Sequence, residues 1–231
     1  MTLVLGACLF LPSLASASDL HLDVEAGTEL PIAVGVNVAL ELPHNLRVST
    51  GLGYLPQSYV ALINTVVEGF PNTYDAATGE LIEETLQDSL IWRTHVGWRM
   101  PSGFYGDVGY GLATLGGGTS TEALLSALIP DAQAPGITSA SYAVGSTLHM
   151  LDAEVGWKRV FANNMTFRAA VGIAATVAAS ATVDSESEPD RPAARRLVDQ
   201  FEAATETYLV ETYTDYVITP VFTMAVGYRL F

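Results

Sequence analysis

From Ile32 to Leu55 the chain alternates apolar and polar residues through a tight turn. Ile32, Val34, Val36, Val38, Leu40 and Leu42 fall on one side, and after Pro43, His44 and Asn45 the series resumes with Leu46, Val48, Thr50, Leu52 and Tyr54. The other side carries Ala33, Gly35, Asn37, Ala39 and Glu41, then Arg47, Ser49, Gly51 and Gly53. A period of two predicts an antiparallel hairpin with one apolar and one polar face. The unit recurs. Leu90, Trp92, Thr94, Val96 and Trp98 oppose Arg93, His95, Gly97 and Arg99, and Phe104, Val108, Tyr110 and Leu112 oppose Tyr105, Asp107, Gly109 and Gly111 across a turn at Pro101–Gly103. Leu151, Ala153, Val155 and Trp157 oppose Asp152, Glu154, Gly156 and Lys158; after Asn163 and Asn164, Phe167, Ala169, Val171, Ile173 and Val177 oppose Arg168, Ala170, Gly172, Ala174 and Thr176.

A first strand with Leu20, Leu22, Val24 and Ala26 against His21, Asp23 and Glu25, joined to the hairpin through Thr28–Pro31, and a last strand ending at Phe231 bring the count to eight. A hairpin hidden within 57–87 would raise it to ten. Three tight turns fall on one side of this layout. Three long segments, about 56–88, 115–145 and 184–211, fall on the other with the one short link. This asymmetry predicts an all-β, antiparallel up-and-down transmembrane β-barrel with short periplasmic turns and long extracellular loops. The run Ala169–Val183 is apolar on both faces; as a helix it would span only about 22 Å, too short to cross a bilayer, so it is read as a strand with small inward residues. Pro220 in the last strand predicts a bulge or a break in the ladder.

Other features fit a membrane-embedded barrel. Mean hydropathy is +0.31, yet no segment offers ~20 unbroken apolar residues for a spanning helix. Trp98, Phe104, Trp157, Phe161, Phe167 and Tyr228 all fall beside the tight turns, where an interfacial girdle is expected. Residues 1–17 carry no charge, are mostly apolar and end Ala15, Ser16, Ala17, which reads as a cleaved export signal without the usual positive n-region, leaving a barrel domain at 18–231. Cys8, the single cysteine, would leave with it and sits too early in the apolar run for a lipoprotein box. A formal charge of −15 argues against nucleic-acid binding.

The inward side concentrates charge. Asp23, Glu25, Glu41, Asp107, Asp152 and Glu154 face Arg47, Arg93, Arg99, Lys158, Arg168 and Arg229, with His95 among them. Buried charges need partners, and an eight-stranded lumen is just wide enough for side chains to fill, so this set predicts an ion-paired plug. The opposing reading is a narrow polar pore or a proton-dependent gate at His95. The loops are acidic. Segment 57–87 holds Glu68, Asp75, Glu80, Glu83 and Glu84 with no base, and 184–211 holds eight acids against Arg191, Arg195 and Arg196. They are read as solvated faces able to share divalent cations with lipopolysaccharide phosphates.

Helical spacing recurs in the loops at Tyr59, Leu62, Ile63, Val66 and Val67, at Leu124, Leu125, Leu128 and Ile129, and at Leu197, Val198 and Phe201. Thr119 and Glu122 suggest a capping box, and Pro192 a first-turn proline. The seventh strand, read from Met165 to Val183, outruns the membrane and predicts a projecting hairpin edge open to partners. His149 and Ser146 form the nearest catalytic-looking pair, but alternation turns His149 toward lipid. Gly116–Gly118 lacks a following Lys and is read as a flexible loop rather than a phosphate cradle. No catalytic, cofactor or metal site is expected, and the protein is not read as an enzyme.

On these strands, turns and loops, over nearly the whole mature length, the chain resembles the small eight-stranded outer-membrane barrels of the OmpA/OmpX type. That family ends in an aromatic residue read by the barrel-assembly machinery, which Phe231 matches, although Arg229 breaks the alternation and Leu230, Tyr228, Val226 and Met224 alternate instead. The resemblance implies the outer membrane of a Gram-negative-type bacterium, contact with its lipid and lipopolysaccharide, and assembly by that machinery. It implies no cell-wall anchor, because no peptidoglycan-binding domain follows in this sequence. The function expected is a structural or adhesion-like surface role; the alternatives are a small passive channel and an outer-leaflet lipid-modifying enzyme.

Overall fold

The computed structural model describes residues 20–56, 58–60, 89–120, 141–185, 192–216 and 218–231. Eight strands follow one another around a closed antiparallel barrel: β1 His21–Leu30, β2 Ala33–Glu41, β3 Leu46–Leu55, β4 Ser89–Arg99, β5 Phe104–Ser120, β6 Ser141–Val160, β7 Met165–Ser185 and β8 Ile218–Arg229. Each strand pairs with its sequence neighbour, and β8 returns to β1 with Asp23 opposite Arg229. Beyond β8, Leu230 donates to the Leu22 carbonyl at 2.8 Å and Leu22 donates to that of Phe231 at 3.2 Å, so the seam is zipped to the last residue. The wall is complete with eight strands, and β3 pairs directly with β4 across 56–88, so a hairpin in that segment adds no strand to it.

Alternation decides which way each side chain points. Val24, Val36, Leu52, Val96, Val108, Val155, Val171 and Val226 face outward and are exposed. At the tight turns the backbone takes left-handed conformations: His44, Asn45 and Asn164 have φ near +65°, and Gly103 has φ 92°. Asn and Gly tolerate this region best.

Several boundaries differ from the sequence reading. β1 continues to Leu30, so Glu29 is part of the wall, opposite Ala33 and Thr223, and the link to β2 shrinks to Pro31 and Ile32. Ile32, expected on the outward face, precedes β2 and is buried under the barrel end. β5 and β6 run past the expected loop boundary: Gly116, Gly117 and Gly118 pair with Gly145, Val144 and Ala143, so this glycine run is strand, not loop. Thr119 lies in the same strand, opposite Tyr142, and is therefore not a helix cap; Glu122 and the helix read at 124–129 lie outside the described residues. The ladder irregularity expected at Pro220 is absent. Pro220 pairs with Ile173 in unbroken register, and β1 pairs with β8 only as far as Phe222, so one flank of Pro220 has no partner to lose. The bulge falls instead on β7, where His149 of β6 opposes Ala178 and Met150 opposes Thr176. Val177 and Ala178 are both exposed there, and the inward parity of β7 switches from Thr176 to Ala179.

The strands do not end together. β4 and β5 part after Leu90 and Thr114, and β7 and β8 part after Ala175 and Ile218, whereas β5, β6 and β7 stay paired out to Ser120, Tyr142 and Ser185. A three-stranded sheet thus projects past the barrel on the long-loop side. Helix α1, Pro192–Tyr216, packs against its β7 margin. It begins at the expected first-turn proline and runs five residues past the expected loop end. A helical turn at 58–60 is the described part of the helix read at 59–67; the remainder and the proposed signal at 1–17 lie outside the described residues.

Candidate functional site: the barrel lumen and its helical cover

Inward side chains divide the lumen into two tiers. At the tight-turn end every strand contributes polar or charged groups. Lys158 is buried among three carboxylates, its Nζ 2.6 Å from Asp23, 3.1 Å from Glu25 and 3.2 Å from Glu41. Arg229 donates Nε to Asp23 at 2.9 Å and Nη2 to Glu41 at 2.6 Å, and Arg99 donates Nη1 to Glu41 at 2.7 Å. Arg168 bridges Glu25 at 2.8 Å and Glu154 at 2.9 Å. The hydroxyl of the fully buried Tyr105 donates to Glu154 at 3.0 Å. Arg47 pairs with Asp107 and lies 5.0 Å from the centre of the Tyr105 ring.

Higher up, Arg93 pairs with Glu29 and sits 3.0 Å from Asp152. His95 Nε2 lies 2.7 Å from the same Asp152 oxygen and 3.1 Å from Arg93 Nη2. Glycine makes room for this group. A Cβ on Gly109 would stand 2.6 Å from Asp152 Oδ1 and against the His95 ring. Every residue proposed for the lumen charge network faces inward within these clusters. Glu29, which the sequence reading assigned to a connection, joins them; its signal was the parity it shares with Asp23 and Glu25.

Above Arg93 and Asp152 the lumen becomes apolar. Ala33, Leu55, Ile91, Ala113, Leu115, Leu148, Met150, Ala174 and Val221 form one buried cluster that continues into the projecting sheet through Tyr142, Val144 and Val183. Helix α1 closes it with Leu209 and Tyr213, and the Phe201 ring packs against that of Tyr142 at a tilt of 51°, their centres 5.4 Å apart. From the 58–60 turn, Val60 enters the same cluster and the Tyr59 hydroxyl bonds Thr28 Oγ1 at 2.6 Å. A cavity of about 40 Å³, lined by Glu25, Arg93, His95, Arg168 and Thr223 among others, marks the junction between the tiers.

α1 also occupies the β7 edge that was expected to be open. Past Ala175 this edge has no strand partner among the described residues, and Glu206 and Glu202 accept the amide hydrogens of Val183 at 3.1 Å and Ser185 at 2.8 Å.

On the outside, the girdle residues Trp98, Phe104, Trp157, Phe161 and Tyr228 are exposed and Phe167 is half-buried, all beside the tight turns. Trp157 Nε1 donates to the Ser102 carbonyl at 3.0 Å. His149 faces outward and bonds the Tyr110 hydroxyl at 2.5 Å, whereas Ser146 is buried on the opposite face of β6, so the strand separates the two. Phe231 is exposed beyond the end of β8. Arg229 breaks the terminal alternation because it is a lumen residue bound to Asp23 and Glu41. Among the described residues no group of three or more His, Cys, Asp and Glu side chains is arranged to hold a metal ion.

No family model and no curated protein match the chain. Solved structures that resemble it include a major outer membrane protein from Thermus thermophilus, with TM-score 0.42, 12% identity and coverage of 91% of this chain and 98% of that one. CarO2 of Acinetobacter baumannii is similar at TM-score 0.38 and 12% identity, covering 91% and 97%.

Proposed function

We propose that this chain is an integral outer-membrane β-barrel with a closed lumen, exported by residues 1–17, that serves a structural or adhesion-like surface role. Membrane embedding is supported by the outward rows of Val, Leu, Phe and Trp, which make an exposed apolar belt far larger than a protein in water sustains. The stretch from Leu90 to Trp98 has the length of a transmembrane strand, and its Trp98 end carries the aromatic girdle.

Closure of the lumen is carried by one observation. Ion pairs below and an apolar core with α1 above leave a cavity of about 40 Å³ at their junction, room for a few waters rather than a hydrated path. The lower tier acts as a charge plug, since each buried cation there has a carboxylate partner. With the lumen sealed, the surface is left to act. Asp199 and Glu211, two of the acids of the 184–211 segment, are exposed on α1, and the exposed Asp215 extends that acidic face beyond it. They suit divalent cations shared with lipopolysaccharide phosphates. Phe231, at the exposed end of the seam, suits recognition by the barrel-assembly machinery. No catalytic role is proposed, because β6 sets His149 and Ser146 on opposite faces.

Single-channel recording in planar bilayers tests the closed lumen. No steady conductance steps are expected from the wild type; regular steps would overturn the plug and establish the channel reading.

A further inference from the structure

The two ends of β8 are unequal. Toward the tight turns it is paired on both sides, but beyond Ala175 and Ile218 the β7 strand runs on from Thr176 to Ser185 with no strand on that side among the described residues. The residues that would continue β8 along this edge are those just before it, and they belong to α1. Only Val217 stands between the helix, which ends at Tyr216, and the strand, which starts at Ile218.

Their composition is that of a strand. Seven of the ten residues 208–217 are aromatic or β-branched, and 208–219 contain no Gly, Pro or Asn to mark a helix end. Thr214 sits in the helix by donating its hydroxyl to the Val210 carbonyl at 2.8 Å, a back-bond that slightly destabilises helices. The buried anchors fit either form. Leu209 and Tyr213 are four residues apart, which places them on one side of a helix and also on one side of a strand. In a lengthened β8 they share the inward parity of Val221, Thr223 and Ala225. Along the β7 edge, Glu206 and Glu202 accept the amide hydrogens of Val183 and Ser185, as the carbonyls of a neighbouring strand would. Two other carboxylates oppose the strand. Glu211 and Asp215, exposed on α1, would turn inward in it, toward the face that carries Ala179, Ala181 and Val183.

We propose that residues 208–217 form a helix-to-strand switch. In its second state they lengthen β8 and zip onto the β7 edge, while α1 shortens to its first half. Carrying the parity of β7 past its bulge puts Thr214 opposite Ser180 and Thr212 opposite Thr182. The projecting sheet gains a fourth strand, and the upper tier of the lumen loses half of its helical cover. Two packings of one sequence that differ by a few kcal/mol are enough for such an exchange.

Two experiments test the switch. Glu211→Thr combined with Asp215→Thr removes the charges that oppose the strand, and heat-modifiable migration first verifies that the barrel has folded. The Cα chemical shifts of Val210, Thr212 and Thr214 in detergent micelles, helical in the wild type, should change sign relative to random coil, while those of 195–203 stay helical. Asp199→Thr combined with Gln200→Thr, which adds the same residue to the first half of α1, should leave the whole helix intact. The second experiment keeps both carboxylates. In a Cys8→Ser background, Thr182→Cys with Thr212→Cys should cross-link under copper-catalysed air oxidation, because these positions face each other closely in the strand register, whereas on the helix Thr212 is buried and Thr182 lies exposed on β7. Thr182→Cys with Gln200→Cys should stay reduced. Helical or random-coil shifts in the first double variant, a 182–212 pair that stays reduced, or equal cross-linking of both cysteine pairs would each overturn the proposal. A first variant that does not fold leaves the cysteine pairs to decide it.

Discussion

The lower and upper tiers of the lumen solve the same problem, filling a narrow cylinder, by opposite means. Below, Lys158, Arg168 and Arg229 each reach two or more carboxylates supplied by other strands. Above, Ile91, Leu148, Met150 and Val221 pack without directional bonds and need α1 to complete the burial. The difference is one of tolerance. An apolar core absorbs a lost methylene by partial collapse, whereas a buried ion without its partner has no such relief. The ionic tier therefore ties β1, β2, β4, β6, β7 and β8 together as one unit, and the apolar tier is the one that can loosen piece by piece.

Replacing Lys158 gives the largest expected effect. Lys158→Met leaves Asp23, Glu25 and Glu41 with Arg99, Arg168 and Arg229 as their remaining cations, in a site sealed from solvent. Removing one partner from a buried ionic cluster costs about 3–5 kcal/mol. The denaturant midpoint of the refolded barrel should drop accordingly, with all strands melting together. A variant that lost only local protection around β6 would show that the lower tier is not one cooperative unit.

Truncation in the upper tier should behave differently. Leu209 is fully buried between α1 and the projecting sheet, and Leu209→Ala removes packing worth about 2 kcal/mol or more. The loss should appear as faster amide exchange along α1, with the global midpoint of the barrel nearly unmoved. A global shift as large as that of Lys158→Met would erase the distinction between the tiers.

The lower tier was largely legible in the sequence and the upper one was not, for a physical reason. A charged residue between two apolar ones, as in Leu151, Asp152 and Ala153, declares its face by contrast. Ile91 beside Leu90, or Met150 beside Leu151, is apolar on both sides of the wall and gives no contrast to read. Glu29 escaped because Pro31 suggested that the strand had already ended. Helix α1 was visible at Leu197, Val198 and Phe201, but its second half carries Thr205, Thr207, Thr212 and Thr214, residues that favour strands. The hydroxyls of Thr205, Thr207 and Thr214 donate back to the carbonyls of Phe201, Ala203 and Val210 at 2.8, 2.9 and 2.8 Å, which lets them sit inside a helix.

The smallest expected effect concerns the seam between the helical cover and the sheet. Past Ala175 the β7 edge keeps its amide groups from solvent partners through Glu206 and Glu202, each accepting one hydrogen bond from the strand. Glu206→Ala removes a single charge-assisted bond at the surface, worth about 1 kcal/mol, so exchange of the Val183 amide should rise about five-fold while α1 stays folded. Removing both glutamates uncovers a bare strand edge, and such edges pair with one another. The double variant should therefore begin to self-associate on size-exclusion chromatography at concentrations where the wild type does not. Faster exchange without association would mean that the bulk of α1 shields the edge and the glutamates only register it. Association in the single Glu206→Ala variant would mean the reverse, that the hydrogen bonds themselves keep the edge closed.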